Sequence, residues 1–308
     1  MHYIVNNWSF DPFLILAVIV AIWHEVGLWR LARRSRRERT RERRIRSLEF
    51  YGGLAMLLIA VESPIDYWAS SYFFVHMIEH LLLMFAAPSL IVAGAPWQPL
   101  LAALPGRSGQ AVTRGVATGI WSRPVRAFFD FATRPLVAFA FFNLVMICWH
   151  IPALFDLGER NSAIHIWLEH GSMFTAGILF WMQFIDSPPF RSRMSTLERA
   201  TSLLVTNVVM IILAMALSIF ASHSIYSVYD NVPGVTLPPF ADQQIGAAIL
   251  WICGDFWAMP TMILTIRKLI ADDGGIGSAL ERFVGRGSRD AAPRGWASSA
   301  RPKSRLPR

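Results

Sequence analysis

Apolar runs of about 20 residues, the length a helix needs to cross a hydrocarbon core, recur along this chain, and the segments between and after them hold nearly all of its positive charge. In lipid every backbone polar group must be satisfied within the segment, so such runs are restricted to helices that pack on one another. Seven are read, near residues 11–31, 46–63, 70–94, 136–155, 163–184, 202–222 and 244–268. The second is the shortest, bracketed by Glu49 and Glu62, and an interfacial helix is its alternative reading.

The loops supply the orientation. Residues 30–46 carry ten arginines, and such clusters stay on the cytoplasmic side. With seven spans, the segments 30–46, 95–135, 186–201 and the stretch from Arg267 onward hold 10, 5, 3 and 10 of the 29 Lys and Arg residues, leaving Arg160 alone on the other side. Six or eight spans would break that alternation. The expected architecture is all-α: a polytopic seven-transmembrane-helix bundle, residues 1–271, with its N terminus outside and its C terminus cytoplasmic. A basic, disordered tail, residues 272–308, is expected to follow. Residues 107–131 mix Trp121, Phe128 and Phe129 with Arg114, Arg123 and Arg126, the pattern of a helix lying on the membrane face. The start, MHYIVNNWSFDP, lacks the basic region of a secretory signal, so the first span is expected to be retained.

Composition excludes the common soluble classes. With 54% hydrophobic and 16% charged residues and a mean hydropathy of +0.40, the chain suits a lipid bilayer better than water. Its net charge of +8 flanks the spans, so no nucleic-acid partner is expected. Cys148 and Cys253 both lie in apolar runs, which leaves no disulfide framework and no cysteine-rich zinc site.

Against this background His76, Glu79 and His80 stand out, inside the third run. Ionisable groups at such depth face a protein interior or water and default to function. A four-residue spacing sets both imidazoles on one helix face, so two nitrogens can hold one metal ion. Orientation then places His150, His165, His170 and His223 in the outer halves or at the outer ends of spans 4, 5 and 6, level with His76 and His80. His24, beside Glu25, lies deeper in span 1. Glu79 is read as a carboxylate that orients an imidazole, or as a protonated acid paired with another helix. Met77, Met84, Met146 and Met173 share these spans, and imidazole with thioether points to copper, although methionine at helical spacing also fills core gaps. Pro88 must kink or unwind span 3 and Pro152 must loosen the outer end of span 4. The loop 223–243, with Tyr226, Tyr229, Asp230 and Asp242 but no basic residue, reads as a docking or metal-entry loop or as an aromatic belt.

Four stretches carry a resemblance: HMIEHLLLMFAAPSLIVAGAPWQPLLAALP from His76, CWHIPALFD from Cys148, HIWLEHGSMFTAGILFW from His165 and DQQIGAAILWICGD from Asp242. In this order they resemble the CtaG-like cytochrome c oxidase assembly factors, a seven-span family linked to caa3-type oxidases. Glu79, where many members are expected to have glutamine, and Ser89 depart from the family pattern. The resemblance implies a bacterial inner-membrane protein that is not an enzyme, has cytochrome c oxidase subunits as partners, and assists copper delivery on the outer side. It also carries over His76, His80, His150, His165 and His170 as the motif histidines, expected here as copper ligands. Glu79, Glu169 and Asp242 are expected to be second-layer or relay groups. Two other classes stay open from the residues themselves: a haem held between histidines of two spans, and a metal or proton transporter with Glu79, Glu169 and Asp255 as relays.

Overall fold

The computed structural model describes residues 7–8, 12–33, 40–104, 115, 119, 121–192 and 194–273. Among the described residues every regular element is helical. In chain order these are α1 (Pro12–Ala32), α2 (Thr40–Glu62), α3 (Pro64–Ala69) and α4 (Phe73–Leu81), the last passing through a π-helical turn at Leu82–Ala86 into α5 (Ala87–Gly94). There follow α6 (Trp97–Ala102), α7 (Arg123–Ala132), α8 (Pro135–Trp149) and α9 (Pro152–Arg160), then a π-helical segment, Ile164–His170, that runs into α10 (Gly171–Trp181). The series closes with α11 (Thr196–Ser218), a short 3-10 turn at Ser227–Tyr229 and α12 (Pro239–Asp273). The tail expected from residue 272 lies, from 274 onward, outside the described residues, as do His2, residues 34–39 of the arginine-rich loop, and much of 105–120.

Among the described residues three helical stretches are long and apolar enough to cross a membrane: Phe13–Ala32, Phe73–Gly94 and Thr196–Ser218. A fourth is added if α7 and α8, bent by 72° at their junction, count as one. The three differ in what surrounds them. Of the most apolar part of Phe73–Gly94, 78% is buried, against 17% for Phe13–Ala32 and 28% for Thr196–Ser218. The histidine-bearing stretch is thus the centre of the bundle. Ile15, Ile19, Ile22 and Trp29 of α1 and Leu204, Val208 and Ile212 of α11 face outward, an apolar periphery of the extent that lipid covers.

Local sequence sets the breaks. Proline at 88 has no N–H to give the carbonyl of Met84, one turn earlier. The chain passes that point through the π-helical turn at Leu82–Ala86, and the Trp181 indole N–H donates to the Met84 oxygen at 3.2 Å. Span 4 is interrupted more sharply than its apolar length suggested. α8 ends at Trp149, His150 closes it with φ −95° and ψ 0°, and Pro152 starts α9 at a first-turn position, where its missing N–H costs nothing. α11 begins at Thr196, ahead of the apolar run, because Ser195 and Glu198 form a reciprocal capping box. α7 has no buried residue. Val125, Phe128 and Phe131 are exposed along it, in keeping with a surface helix.

Close backbone approach holds α2 against α5. A Cβ on Gly53 would lie 2.7 Å from Ile91 N and 2.8 Å from Ala87 O, and one on Gly94 would lie 2.6 Å from Phe50 N. Glycine at both positions is what lets these two helices touch. The aromatic core beside them includes Phe142 stacked on Phe180, with ring centres 4.1 Å apart.

Candidate metal centre

Buried carboxylates of two kinds occur in the fold, and the first kind builds the frame. The N terminus of α4 has no capping side chain of its own at Tyr72. Asp242, on α12, takes that part: Phe73 N–H donates to Oδ2 at 2.7 Å and Phe74 N–H to Oδ1 at 2.9 Å. This satisfies two helix-terminal amides and places negative charge at the positive end of the helix. Gln243 next to it accepts from Ile225 N–H and donates to the Leu217 carbonyl, tying the 223–243 loop and the end of α11 to α12. The start of α4, and with it His76 one turn later, is fixed from outside its own chain segment.

The second kind of carboxylate meets the histidines. His76 and His80 face one way from α4, their ring centres 4.1 Å apart. Opposite them the π-helical segment presents His165, Glu169 and His170. In an ordinary α-helix, residues five apart point about 140° away from each other. The i→i+5 register of a π-helix removes that divergence, and the rings of His165 and His170 lie 4.1 Å apart. Glu159, near the end of α9, completes the set.

The distances form a closed mesh. Glu169 Oε1 is 3.2 Å from His80 Nε2 and 3.6 Å from His76 Nε2, while its Oε2 is 3.0 Å from His165 Nδ1. Glu159 Oε1 lies 3.1 Å from His76 Nδ1 and 3.3 Å from His165 Nδ1. Glu79 Oε1 is 3.3 Å from His170 Nε2. His76, Glu79 and Glu169 are fully buried and His80 and His170 nearly so, whereas the His165 side chain is 15% exposed and marks the open edge. Several of these approaches lack the angle of a hydrogen bond. Of the twelve buried side-chain polar atoms without such a bond among the described residues, nine belong to His76, Glu79, His80, Glu159, Glu169 and His170. A buried polar atom without a hydrogen bond costs about 1–3 kcal/mol, so nine in one place single these residues out as a candidate ligand site. Three groups of three have ligand atoms within 4.8 Å of one another: His76, His80 and Glu169; Glu79, His165 and His170; Glu159, His165 and Glu169.

Four of the five histidines expected as ligands therefore meet. His150 stands at the margin, its ring 5.8 Å from that of His80. Its Nδ1 is 2.6 Å from the Met146 carbonyl, which can only accept, so Nδ1 carries the proton. Nε2, with its lone pair, lies 3.4 Å from Met77 Sδ. Met77 thus brings its sulfur to a histidine, and it lies with Met84, Met146 and Met173 in the apolar core. His223 is exposed and pairs with Ser222. Asp242 belongs to none of the three groups, and its work is the capping described above. The side chains of Asp255 and Cys253 lie outside the described ones.

Three further residues shape the centre. A Cβ on Gly158 would stand 2.7 Å from Glu169 Oε2, so glycine there leaves room for the carboxylate. The loop tyrosines are not a surface belt. Tyr226 and Tyr229 are buried, with Tyr226 packed 4.2 Å from Phe155, whose ring is in turn 4.8 Å from His76. The Tyr226 hydroxyl donates to the His150 carbonyl and that of Tyr229 to the Ala69 carbonyl. Burial, followed by nearby carboxylates, pushes both phenols above their ordinary range, so they remain donors and the loop stays latched.

The apolar pattern does not single out Glu159, which falls in 156–162, between the fourth and fifth runs. Its signal is position: a carboxylate in the short link between His150 and His165, directly after Gly158. Two cavities, of about 540 and 400 Å³, lie elsewhere, the first lined by His24, Arg43, Arg46 and Arg191 and the second apolar.

Fold and site together define a helical protein of membrane character built around a buried histidine–carboxylate centre. The chain matches the cytochrome c oxidase caa3 assembly factor family over residues 23–272 and belongs to it. It is 24% identical over 320 residues to uncharacterised proteins of Mycobacterium bovis and Mycobacterium tuberculosis, covering 99% of this chain and 46% of theirs. A Mycobacterium leprae relative, also uncharacterised, is 26% identical over 274 residues, covering 84% of this chain and 38% of its own. The chain thus spans less than half the length of these curated relatives. No solved structure matches it.

Proposed function

We propose that this protein assists the maturation of a haem-copper cytochrome c oxidase by holding copper in the histidine–carboxylate centre and passing it to an oxidase subunit. The observation that carries the metal reading is the convergence of four imidazoles, three of them buried, in which both ring nitrogens of His76 and His80 and Nε2 of His170 have no hydrogen bond. Imidazole is a good copper donor, and the three carboxylates, with Met77 beside His150, complete a set that accepts it. Family membership supports the oxidase as the recipient. Carriage needs exchange, and the 15% exposed His165 beside Glu159 is the edge at which a docking partner reaches the ion. The role is transfer of an ion rather than turnover of a substrate.

The close packing of the two imidazole pairs against carboxylates favours a bare ion over haem, because a porphyrin needs a slot between its axial rings. The topology proposed with this function is the seven-span one, in a bacterial inner membrane with the N terminus outside, which sets the centre near the outer face. Reporter fusions in the loops test it, and a cytoplasmic signal from the 156–162 connection would overturn it.

Copper loading tests the site. Purified protein is expected to retain copper that the His76→Ala/His80→Ala variant loses in part or whole, and equal content in the two would sink the assignment. In cells lacking the protein, an oxidase with its full copper content would remove the assembly role.

A further inference from the structure

We infer that the centre holds two metal ions, bridged by carboxylate, and that both are divalent. The inference rests on the metal reading above and goes beyond it in number, arrangement and charge.

Two of the three ligand groups, His76/His80/Glu169 and Glu79/His165/His170, share no residue. Six side chains from two helical stretches thus fall into two complete sets of three, where a single ion needs only four or so donors in all. The carboxylates between the sets have the placement of bridges. Glu169 turns Oε1 to His76 and His80 and Oε2 to His165, one oxygen to each side. Glu159 Oε1 lies within 3.3 Å of both His76 and His165. One carboxylate spanning two ions is the arrangement that holds them roughly 3.5–4 Å apart in two-metal sites. Nitrogens or oxygens without a hydrogen bond occur on both sides, at His76 and His80 in one set and at Glu79 and His170 in the other, so one ion would leave the second set buried with the Glu79–His170 contact at 3.3 Å in place of a hydrogen bond.

The donors also set the charge. Three carboxylates among four imidazoles form a hard-to-intermediate set, suited to divalent ions, whereas Cu(I) favours thiolate and thioether. The one soft pair, His150 Nε2 with Met77 Sδ, lies outside both sets. Two divalent ions would bring four positive charges to three buried carboxylates, which removes the need for protonated histidines to neutralise them.

The test is stoichiometry together with magnetic coupling, on the full chain in detergent, stripped of metal and then loaded with Cu(II) or, separately, Zn(II). Two equivalents of either ion per chain are expected, and the paired Cu(II) ions should show a coupled electron paramagnetic resonance spectrum. Glu79→Gln/His170→Gln should reduce the content from two to one and leave an uncoupled Cu(II) signal. Glu169→Gln should abolish the coupling. Thermal unfolding confirms that each variant is folded, and the wild-type measurement stands without them. One equivalent with an isolated signal would overturn the two-ion proposal while leaving the single-metal reading intact. Two equivalents without coupling would overturn the bridge. No bound Cu(II) or Zn(II) would overturn both this proposal and the reading beneath it.

Discussion

His24 and His76 are both buried histidines on helices of the same bundle, yet their surroundings are opposites. His24 Nδ1 donates to the Tyr51 hydroxyl at 3.0 Å, Tyr51 donates to Glu25 Oε1 at 2.6 Å, and the imidazole lies against Phe50, ring centres 4.3 Å apart. That chain ends at a carboxylate near solvent and is satisfied as it stands. Around His76 the rings and carboxylates crowd within 3.0–3.6 Å of one another; His165 Nδ1 and Glu169 Oε2 complete a hydrogen bond at 3.0 Å, while both ring nitrogens of His76 and of His80 have none. The carboxylates divide in the same way. Glu62 accepts from Leu14 N–H at the start of α1 and Asp242 from the start of α4, whereas both oxygens of Glu79 lack a hydrogen-bond partner. A buried ionisable group therefore reads as structural when its partners are complete and as a ligand when several such groups share an incomplete set.

Gly158→Ala should break the comparison most visibly, because it touches the incomplete set without removing a donor. The added methyl would meet Glu169 Oε2 at 2.7 Å, the far end of a side chain that can turn away only by leaving His165. Metal affinity is expected to fall about 10–100-fold, the range seen when groups supporting a ligand are disturbed, with little change in unfolding temperature. Competition with a chelator measures it. Unchanged affinity would mean that the position of Glu169 does not matter to the ion.

The all-helical class, the His76/His80 pair and the motifs were legible in the sequence because helix length and i, i+4 spacing follow from α-helical geometry alone. Of the seven apolar runs, three or four are matched, among the described residues, by helical stretches long and apolar enough to span a membrane. The partnership of His165 with His170 was not legible from periodicity, since a spacing of five converges only in a π-helical segment, and nothing local in IHIWLEH announces one. The resemblance supplied that pair instead. Glu159 escaped because α9 is a short helix created by Pro152 in what composition presents as a loop. The capping role of Asp242 escaped for another reason. Its partners, Phe73 and Phe74, are 169 and 168 residues away, and pairing over such a distance is set by packing of α12 on α4, not by pattern.

Asp242→Ala sharpens the other side of the comparison. Two amides at the start of α4 lose their acceptor, and the expected destabilisation is about 1–3 kcal/mol, read as a lowered unfolding midpoint in detergent. Asp242→Asn, with one acceptor oxygen, should cost less. Protein that remains folded should keep its metal content, since Asp242 belongs to none of the ligand groups. A loss of metal at unchanged stability would move Asp242 into the centre.

The smallest effect is expected at Tyr51→Phe. It removes the hydroxyl between His24 and Glu25 while keeping the ring that packs edge-on to His24, 5.3 Å between centres. Glu25 has water within reach, so the net cost is the unsatisfied His24 N–H, about 1 kcal/mol. Metal content and affinity should not change, because the His24 chain contributes no atom to the candidate ligand groups. The measurement is a paired one, unfolding midpoint and chelator competition on the same preparation. A fall in metal affinity here would show that a satisfied buried histidine can still serve the site, and the contrast between His24 and His76 would no longer separate structural from ligand groups.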